Sequence, residues 1–185
     1  MRAKIATGFA ALLSLAVCSQ AMGADMSPIG LWQATDPDTK QPSGWFAVTE
    51  DNGVYDGTLV KMFLKPGQDP NITCDKCKDD RRDQPWLGLQ IVRGMKPDGD
   101  NKYDGGTILD PRDGNVYDAM MTVTQDGQTL VVRGFLGFSL LGRNEYWTRL
   151  PDSDYAMLDP AMRKLVDPSA ATDPAAVPAK PRKRR

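Results

Sequence analysis

The sequence of 185 residues contains no histidine. Histidine is the commonest general base and metal ligand, and it completes the Ser–His and Cys–His nucleophile pairs. A hydrolase built from this chain would therefore need carboxylates or lysine. Asp56, Asp104 and Glu145 fall within predicted strands, whereas most other acids lie in turns, where an aspartate usually caps its own backbone. We therefore expect a non-enzymatic protein without catalytic residues.

Cysteine is also scarce, with three residues in the whole chain. Cys74 and Cys77 lie close together in a long polar loop predicted over residues 66–86, and three interpretations compete. A redox-active cysteine pair lies at the start of a helix in a βαβ unit, whereas a charged loop between predicted strands surrounds this pair. A zinc site needs two more ligands, which would have to be carboxylates or come from a second chain. We favour a disulfide formed in an oxidising compartment, and we expect no metal and no cofactor.

Residues 1–24 have the three parts of a secretory signal. Arg2 and Lys4 give a basic start, and an apolar run over residues 5–17 follows. This run is too short to span a bilayer as a stable helix. Small residues suited to cleavage then follow at Ala21, Gly23 and Ala24. We therefore expect cleavage of the signal and a periplasmic or secreted protein.

The third cysteine, Cys18, lies inside this signal. The stretch over residues 15–18 resembles the lipobox of bacterial lipoproteins, in which Gly, Ala or Ser precedes the cysteine. Val17 occupies that position here. We therefore favour removal of Cys18 with the signal over lipidation.

Charge is distributed unevenly along the mature chain. Loss of Arg2 and Lys4 leaves 21 basic residues against 24 acidic ones, a net charge of −3. Residues 168–185 carry a net charge of +4, which leaves −7 on the body. An acidic body argues against nucleic-acid binding, because phosphate contacts need a basic face. The tail residues responsible are Lys180, Arg182, Lys183, Arg184 and Arg185, opposed by Asp173.

Turn-forming residues recur about every ten residues, and Val, Ile, Thr, Tyr, Phe and Trp are enriched between them. This spacing is typical of an all-β barrel or sandwich. Asn-Gly and Asp-Gly pairs at three connections favour tight hairpins, so consecutive strands should pair antiparallel. We predict an eight-stranded up-and-down barrel within residues 25–151. Its strands should cover residues 29–34, 44–50, 54–65, 87–96, 102–109, 115–124, 128–136 and 143–150.

The chain changes character after the barrel. Apolar residues over 152–167 follow the spacing of a short amphipathic helix, although Pro160 must lie in its first turn or split it. Residues 168–185 are rich in Pro, Ala, Lys and Arg and are predicted to be disordered. This tail is either functionally silent or a weak tether to an anionic membrane.

Two motifs mark the ends of the predicted barrel. Gly30 and Trp32 open the first strand, and Arg149 closes the last one. This pairing resembles the calycin superfamily, in which a Gly-x-Trp begins the barrel and an arginine of the final strand lies over the tryptophan. A guanidinium over an indole gains a cation–π contact. The resemblance implies that Gly30, Trp32 and Arg149 close the barrel.

At the family level, the chain resembles the DUF2147 family of exported bacterial proteins over roughly residues 28–150. The matching motifs run in order through Gly-x-Trp at 30–32, the cysteines at 74 and 77, residues 88–91, residues 105–111, Gly114, Tyr117, Leu130, residues 133–137, residues 141–143 and residues 147–149. The resemblance implies an exported, lipocalin-like barrel. The basic tail departs from the family pattern.

An eight-stranded barrel is either filled by side chains or holds one small ligand. On the seventh strand, the inward set is either Leu130, Val132 and Gly134 or Val131, Arg133 and Phe135. Arg133 would be satisfied by an anionic ligand in the lumen or by a salt bridge to a neighbouring acid. We predict a binding or carrier protein for a small amphipathic or anionic molecule. The alternative is an envelope interaction protein with a filled barrel and a tail that engages lipid or protein. The candidate ligand-binding residues are Trp45, Tyr103, Tyr117, Arg133 and Tyr146.

Overall fold

The computed structural model describes residues 26–36 and 38–166. Eight antiparallel strands, each paired with its neighbour in sequence, close into a barrel when the last strand pairs with the first. The predicted all-β, up-and-down barrel is therefore confirmed. The strands are β1 (Gly30–Thr35), β2 (Pro42–Asp51), β3 (Val54–Met62), β4 (Gln90–Pro97), β5 (Lys102–Asp110), β6 (Asn115–Val123), β7 (Thr129–Phe135) and β8 (Arg143–Arg149).

The predicted signal, Cys18 and the predicted tail lie outside the described residues. Within them, the largest change in strand limits surrounds the long loop, because β3 ends at Met62 and β4 begins only at Gln90. No helix in the described part of the chain is long and apolar enough to cross a membrane.

The barrel interior is filled by one apolar cluster. Leu130 and Val132 belong to this cluster, which settles the orientation of β7 in favour of the first predicted set. Phe46 and Trp147 stack within the interior with ring centroids 4.3 Å apart. The fully packed members are Trp32, Val48, Val92, Met95, Ala119, Met121, Val123, Leu130, Val132 and Trp147.

A second apolar layer covers the outside of β1, β2 and β3. A 3-10 helix (Asp152–Met157) and helix α1 (Pro160–Val166) form this layer. The predicted short C-terminal helix is confirmed as α1, which begins at Pro160, and the residues before this proline form the separate 3-10 helix. The buried residues of this layer are Leu31, Trp45, Ala47, Val60, Tyr155, Leu158 and Val166.

Arg149 and Trp32 lie together where the last strand meets the first. The guanidinium carbon lies 4.2 Å from the centroid of the Trp32 ring, which has no exposed surface. Arg149 also donates hydrogen bonds to the carbonyls of Ser27, Ile29 and Gly127, at 2.5, 3.0 and 2.6 Å respectively. The Trp32 indole donates to the Pro28 carbonyl at 2.8 Å. These contacts attach the N-terminal segment across the end of the barrel.

The loop between β3 and β4 is held against the turn between β5 and β6. The Lys76 ammonium donates to the Arg112 carbonyl at 3.0 Å. Gly114 has a φ of +73°, and a Cβ added there would lie 1.9 Å from the Lys76 carbonyl oxygen. Gly53, in the turn between β2 and β3, has a similar φ of +79° but open space at the same position. Gly114 is therefore required both for the turn and for the close approach of the loop.

Trp32→Ala should destabilise the protein by about 3–5 kcal/mol, because it removes a fully buried aromatic side chain. Arg149→Ala should cost less, about 2 kcal/mol, since it removes charge-assisted hydrogen bonds and a cation–π contact but leaves the core filled. Denaturant unfolding measures both values. A Trp32→Ala variant within about 1 kcal/mol of the wild type would contradict the role of Trp32 in closing the barrel.

Gly114→Ala should cost at least about 1–3 kcal/mol more than Gly53→Ala. Both changes place a Cβ at positive φ, so the difference measures the collision with the Lys76 carbonyl. Thermal and denaturant unfolding of the two variants provide the comparison. Equal destabilisation would show that the loop does not dock on this turn.

Candidate functional site

The five predicted ligand-binding residues do not converge. Tyr103 packs against the interior cluster and makes an edge contact with Tyr55, with centroids 4.7 Å apart. Tyr117 lies opposite the inward-facing Ile108 in the pairing of β5 with β6, so it also faces inward. Tyr103 and Ile108 lie near opposite ends of β5. Trp45, Arg133 and Tyr146 lie on the outer face. The structure therefore does not assemble this set into one lumen site.

Trp45 lies beneath the outer layer, where it is 5% exposed. Its indole donates to the Gln33 side chain at 3.1 Å, and the Lys61 ammonium lies 4.0 Å from its ring centroid. Tyr146 lies in the open on β8, 61% exposed, and its hydroxyl accepts a hydrogen bond from Asn144 at 3.3 Å. Both residues therefore have their neighbours on the outside of the barrel.

Main-chain and amide oxygens are the hydrogen-bond partners of Arg133. Its guanidinium donates to the carbonyls of Ser139 and Leu140 at 2.7 and 3.2 Å, and to the Asn144 side chain at 2.6 Å. Of the two orientations that the sequence left open, β7 adopts the one with Arg133 on the outer face, where backbone oxygens of the loop between β7 and β8 satisfy its charge. Arg133 organises this loop.

The predicted disulfide between Cys74 and Cys77 is confirmed. Both cysteines are fully buried and pack with Leu109 and neighbouring apolar residues. This burial separates the pair from substrates and gives it a structural role in shaping the loop. In residues 26–36 and 38–166, no three potential metal-ligating side chains converge.

A cleft of about 440 Å³ opens on the outside of the barrel. The end of the long loop, the outer face of β3 and β4, and helix α1 form its walls. Its volume is within the range of small-molecule sites. The apolar lining consists of Pro85, Leu87, Leu89 and Leu165, and the polar lining of Thr58, Asp80, Arg81, Gln84, Gln90 and Arg93.

Arg81 is the fixed cation of this cleft. Its side chain is 3% exposed and forms a bidentate contact with Asp79, with a shortest distance of 2.6 Å. It also donates to the Gln90 carbonyl at 2.9 Å. The hydrogen bonds from Arg81 lower the pKa of Asp79 to about 2, so the carboxylate is charged at neutral pH. This pair joins the long loop to β4.

Arg93 is the second cation, and its partner is more accessible. Its guanidinium donates to the two Asp80 oxygens at 2.7 and 3.1 Å, which lowers the pKa of Asp80 and raises the pKa of Arg93. The Asp80 side chain is 70% exposed, while that of Arg93 is 31% exposed. The buried Nε of Arg93 makes no hydrogen bond. Because Asp80 is largely exposed, it is the partner of Arg93 that an anionic group in the cleft can replace.

Sequence reasoning missed this site. The sequence signal for it is the run of six charged residues at 78–83 within a long loop. A charged run is usually a solvated surface, however, and the opposing residues come from β3, β4 and α1. The site therefore depends on tertiary packing that the local pattern does not encode.

These features define a lipocalin-like barrel with an outer cleft. Protein HP1028 from Helicobacter pylori, described as belonging to the lipocalin family, has a similar solved structure. The TM-score is 0.61 with 17% sequence identity, over 72% of this chain and 90% of that one. Residues 30–149 match the model of the family described as an uncharacterized protein conserved in bacteria, DUF2147, and the chain belongs to this family. No curated protein matches the chain.

Asp79→Asn should destabilise the protein at pH 7 by about 1–3 kcal/mol, because it leaves buried donors of Arg81 without their charged partner. The pKa of Asp79 is lowered in the folded state, so its stabilisation is complete above about pH 4 and is lost as the pH falls toward 2. The difference from wild type should narrow over that range. Urea unfolding at several pH values measures it.

Asp75→Asn is the control for this prediction, since Asp75 is an exposed carboxylate in the same loop. It should unfold like the wild type throughout. A difference between Asp79→Asn and wild type that stays constant from pH 7 to pH 2 would contradict the assignment to this carboxylate.

Proposed function

We propose that this protein is exported to the periplasm and binds a small amphipathic, anionic molecule in the outer cleft, without catalysing a reaction. The main support for ligand binding is the cleft, in which Arg93 and Asp80 lie beside apolar residues. The signal-like residues 1–24 and the disulfide between Cys74 and Cys77 support export to an oxidising compartment.

Because apolar side chains pack the interior, we place the binding site on the outside of the barrel. Lipocalin-like barrels with a vacant interior have room for one small ligand there. In this protein, Trp32, Trp147 and their neighbours occupy that volume. The outer cleft offers space, an apolar surface and polar groups together.

The chemistry of the cleft selects the class of ligand. Leu87, Leu89 and Leu165 provide surface for a hydrocarbon chain. Arg93 can bind a carboxylate or phosphate through two parallel hydrogen bonds once Asp80 turns away into solvent. An anion with a short hydrocarbon chain matches both parts of the lining.

A second candidate function is an interaction protein of the envelope, and the packed interior favours it. In that case the barrel is a scaffold and its outer surfaces bind other molecules. Native mass spectrometry of protein purified from the periplasm of its own host separates the two functions. A retained small molecule supports the binding protein, whereas a retained protein partner supports the scaffold.

Arg93→Gln should weaken binding of decanoate, used as a probe, by at least about tenfold, because one charge-assisted hydrogen bond contributes about 1.5–3 kcal/mol. Titration calorimetry at neutral pH measures the affinity. Arg112→Gln is the matched control, since Arg112 also makes a close ion pair with an aspartate, Asp110, but lies outside the cleft. Equal effects of both substitutions would exclude the cleft as the binding site.

A further inference from the structure

The loop between β7 and β8 presents four apolar side chains to solvent. The exposed fractions are 67% for Leu136, 79% for Phe138, 89% for Leu140 and 83% for Leu141. These are the four highest exposures among the large apolar side chains that the structure describes. Single exposed apolar residues are ordinary, but four within six residues form a patch that indicates an interaction. We call these four residues the apolar tip.

Hydrogen bonds fix the backbone of the apolar tip. A short 3-10 turn spans Ser139–Leu141, with Leu141 N–H donating to the Phe138 carbonyl at 3.1 Å. Arg133 fills the inner side of the turn by donating to the carbonyls of Ser139 and Leu140. The carbonyls of Leu136, Phe138, Ser139 and Leu140 thus accept hydrogen bonds from the protein while the apolar side chains are exposed. Such a segment can enter an apolar medium without exposing these carbonyls to it.

The surroundings of the apolar tip match a membrane surface. Arg143, at the start of β8, is exposed, and its guanidinium makes no hydrogen bond or ion pair within the described part of the chain, although its charge helps to lower the pKa of Asp110. Tyr146 follows on the outer face of β8 with 61% exposure. Tyrosine is enriched at membrane interfaces, and arginine binds lipid phosphates. Of the nearby acids, Glu145 accepts a hydrogen bond from Trp147, and Asp118 lies opposite Phe135.

We propose that the apolar tip inserts into the surface of a phospholipid bilayer. The four tip side chains enter the boundary of the acyl chains, while Tyr146 and Arg143 lie among the headgroups. The tip presents four highly exposed apolar side chains, which a deformable bilayer can accept without a preformed groove. This docking site shares no residue with the outer cleft, and it does not depend on a ligand there.

The test is sedimentation of the full mature chain with vesicles of phosphatidylethanolamine and phosphatidylglycerol. The wild-type protein should sediment with the vesicles and continue to do so at high salt, because apolar insertion resists screening whereas tethering by the basic tail does not. Phe138→Ser combined with Leu140→Ser should lower the partition coefficient by at least about tenfold. The matched control is Leu64→Ser combined with Met157→Ser, which removes two exposed apolar side chains outside the tip and should bind like the wild type.

A second measurement places the tip itself in the bilayer. Phe138→Trp should show tryptophan emission at shorter wavelength on addition of vesicles, whereas Met157→Trp should not change. Unchanged melting temperatures would show that all variants are folded. Wild-type protein that stays in the supernatant, or that loses its vesicle binding completely at high salt, would overturn the proposal. So would equal binding by the tip variant, or a tip variant that loses a protein partner while its vesicle binding is unchanged.

Discussion

The closure of the barrel between β8 and β1, where Arg149 lies over Trp32, is the interaction on which the rest of this structure depends. It joins the final strand to the first and fastens the preceding segment through the carbonyls of Ser27 and Ile29. A meander without this closure would leave β1 and β8 with unpaired backbone groups. Closure also sets the circumference of the interior, so the packing of aromatic and branched side chains inside follows from it.

Because the interior is filled, both candidate binding surfaces of this protein lie on the outside of the barrel. Trp147 and Phe46 stack where a ligand would otherwise lie, and Met95 and Met121 fill the remaining volume. The polar features are instead built on the connections. The loop between β3 and β4 supplies Asp79, Asp80 and Arg81 to the cleft, and the loop between β7 and β8 presents the apolar tip. The barrel holds both loops in place, although one loop is charged and the other is apolar.

The strands and hairpins were predictable because their determinants are local. Asn52 and Gly53 adopt the positive φ that their turn requires, and the alternation along β7 reduced its orientation to two choices. The direction of Trp45 was not predictable in this way. Residues 45–48 of β2 are apolar and largely buried on both faces, because the helices cover the outside of the strand. A strand buried on both sides loses the alternation that would identify its inner face.

The candidate site was predictable only in part for a different reason. The disulfide follows from two cysteines close in sequence and from the expected compartment. Arg133, by contrast, finds its partners in main-chain oxygens of a loop, which no pattern of side chains reveals. The cleft needs Leu165 of α1 to meet Arg93 of β4. This contact between α1 and β4 depends on tertiary packing and cannot be predicted from the sequence of either segment alone.

The closure of the ring also imposes an order on folding. Neighbouring strands pair through short sequence separations, apart from the long connection between β3 and β4, whereas the hydrogen bond from Arg149 to Ile29 joins residues 120 positions apart. Contacts of long sequence separation form late, because the chain between them must first be ordered. A chain that emerges from its N-terminus onward can form its early hairpins as it appears, but Trp32 has to wait for β8. Until β8 arrives, the edge of β1 that faces away from β2 is unpaired and the Trp32 indole is uncovered, and such an edge is prone to aggregation.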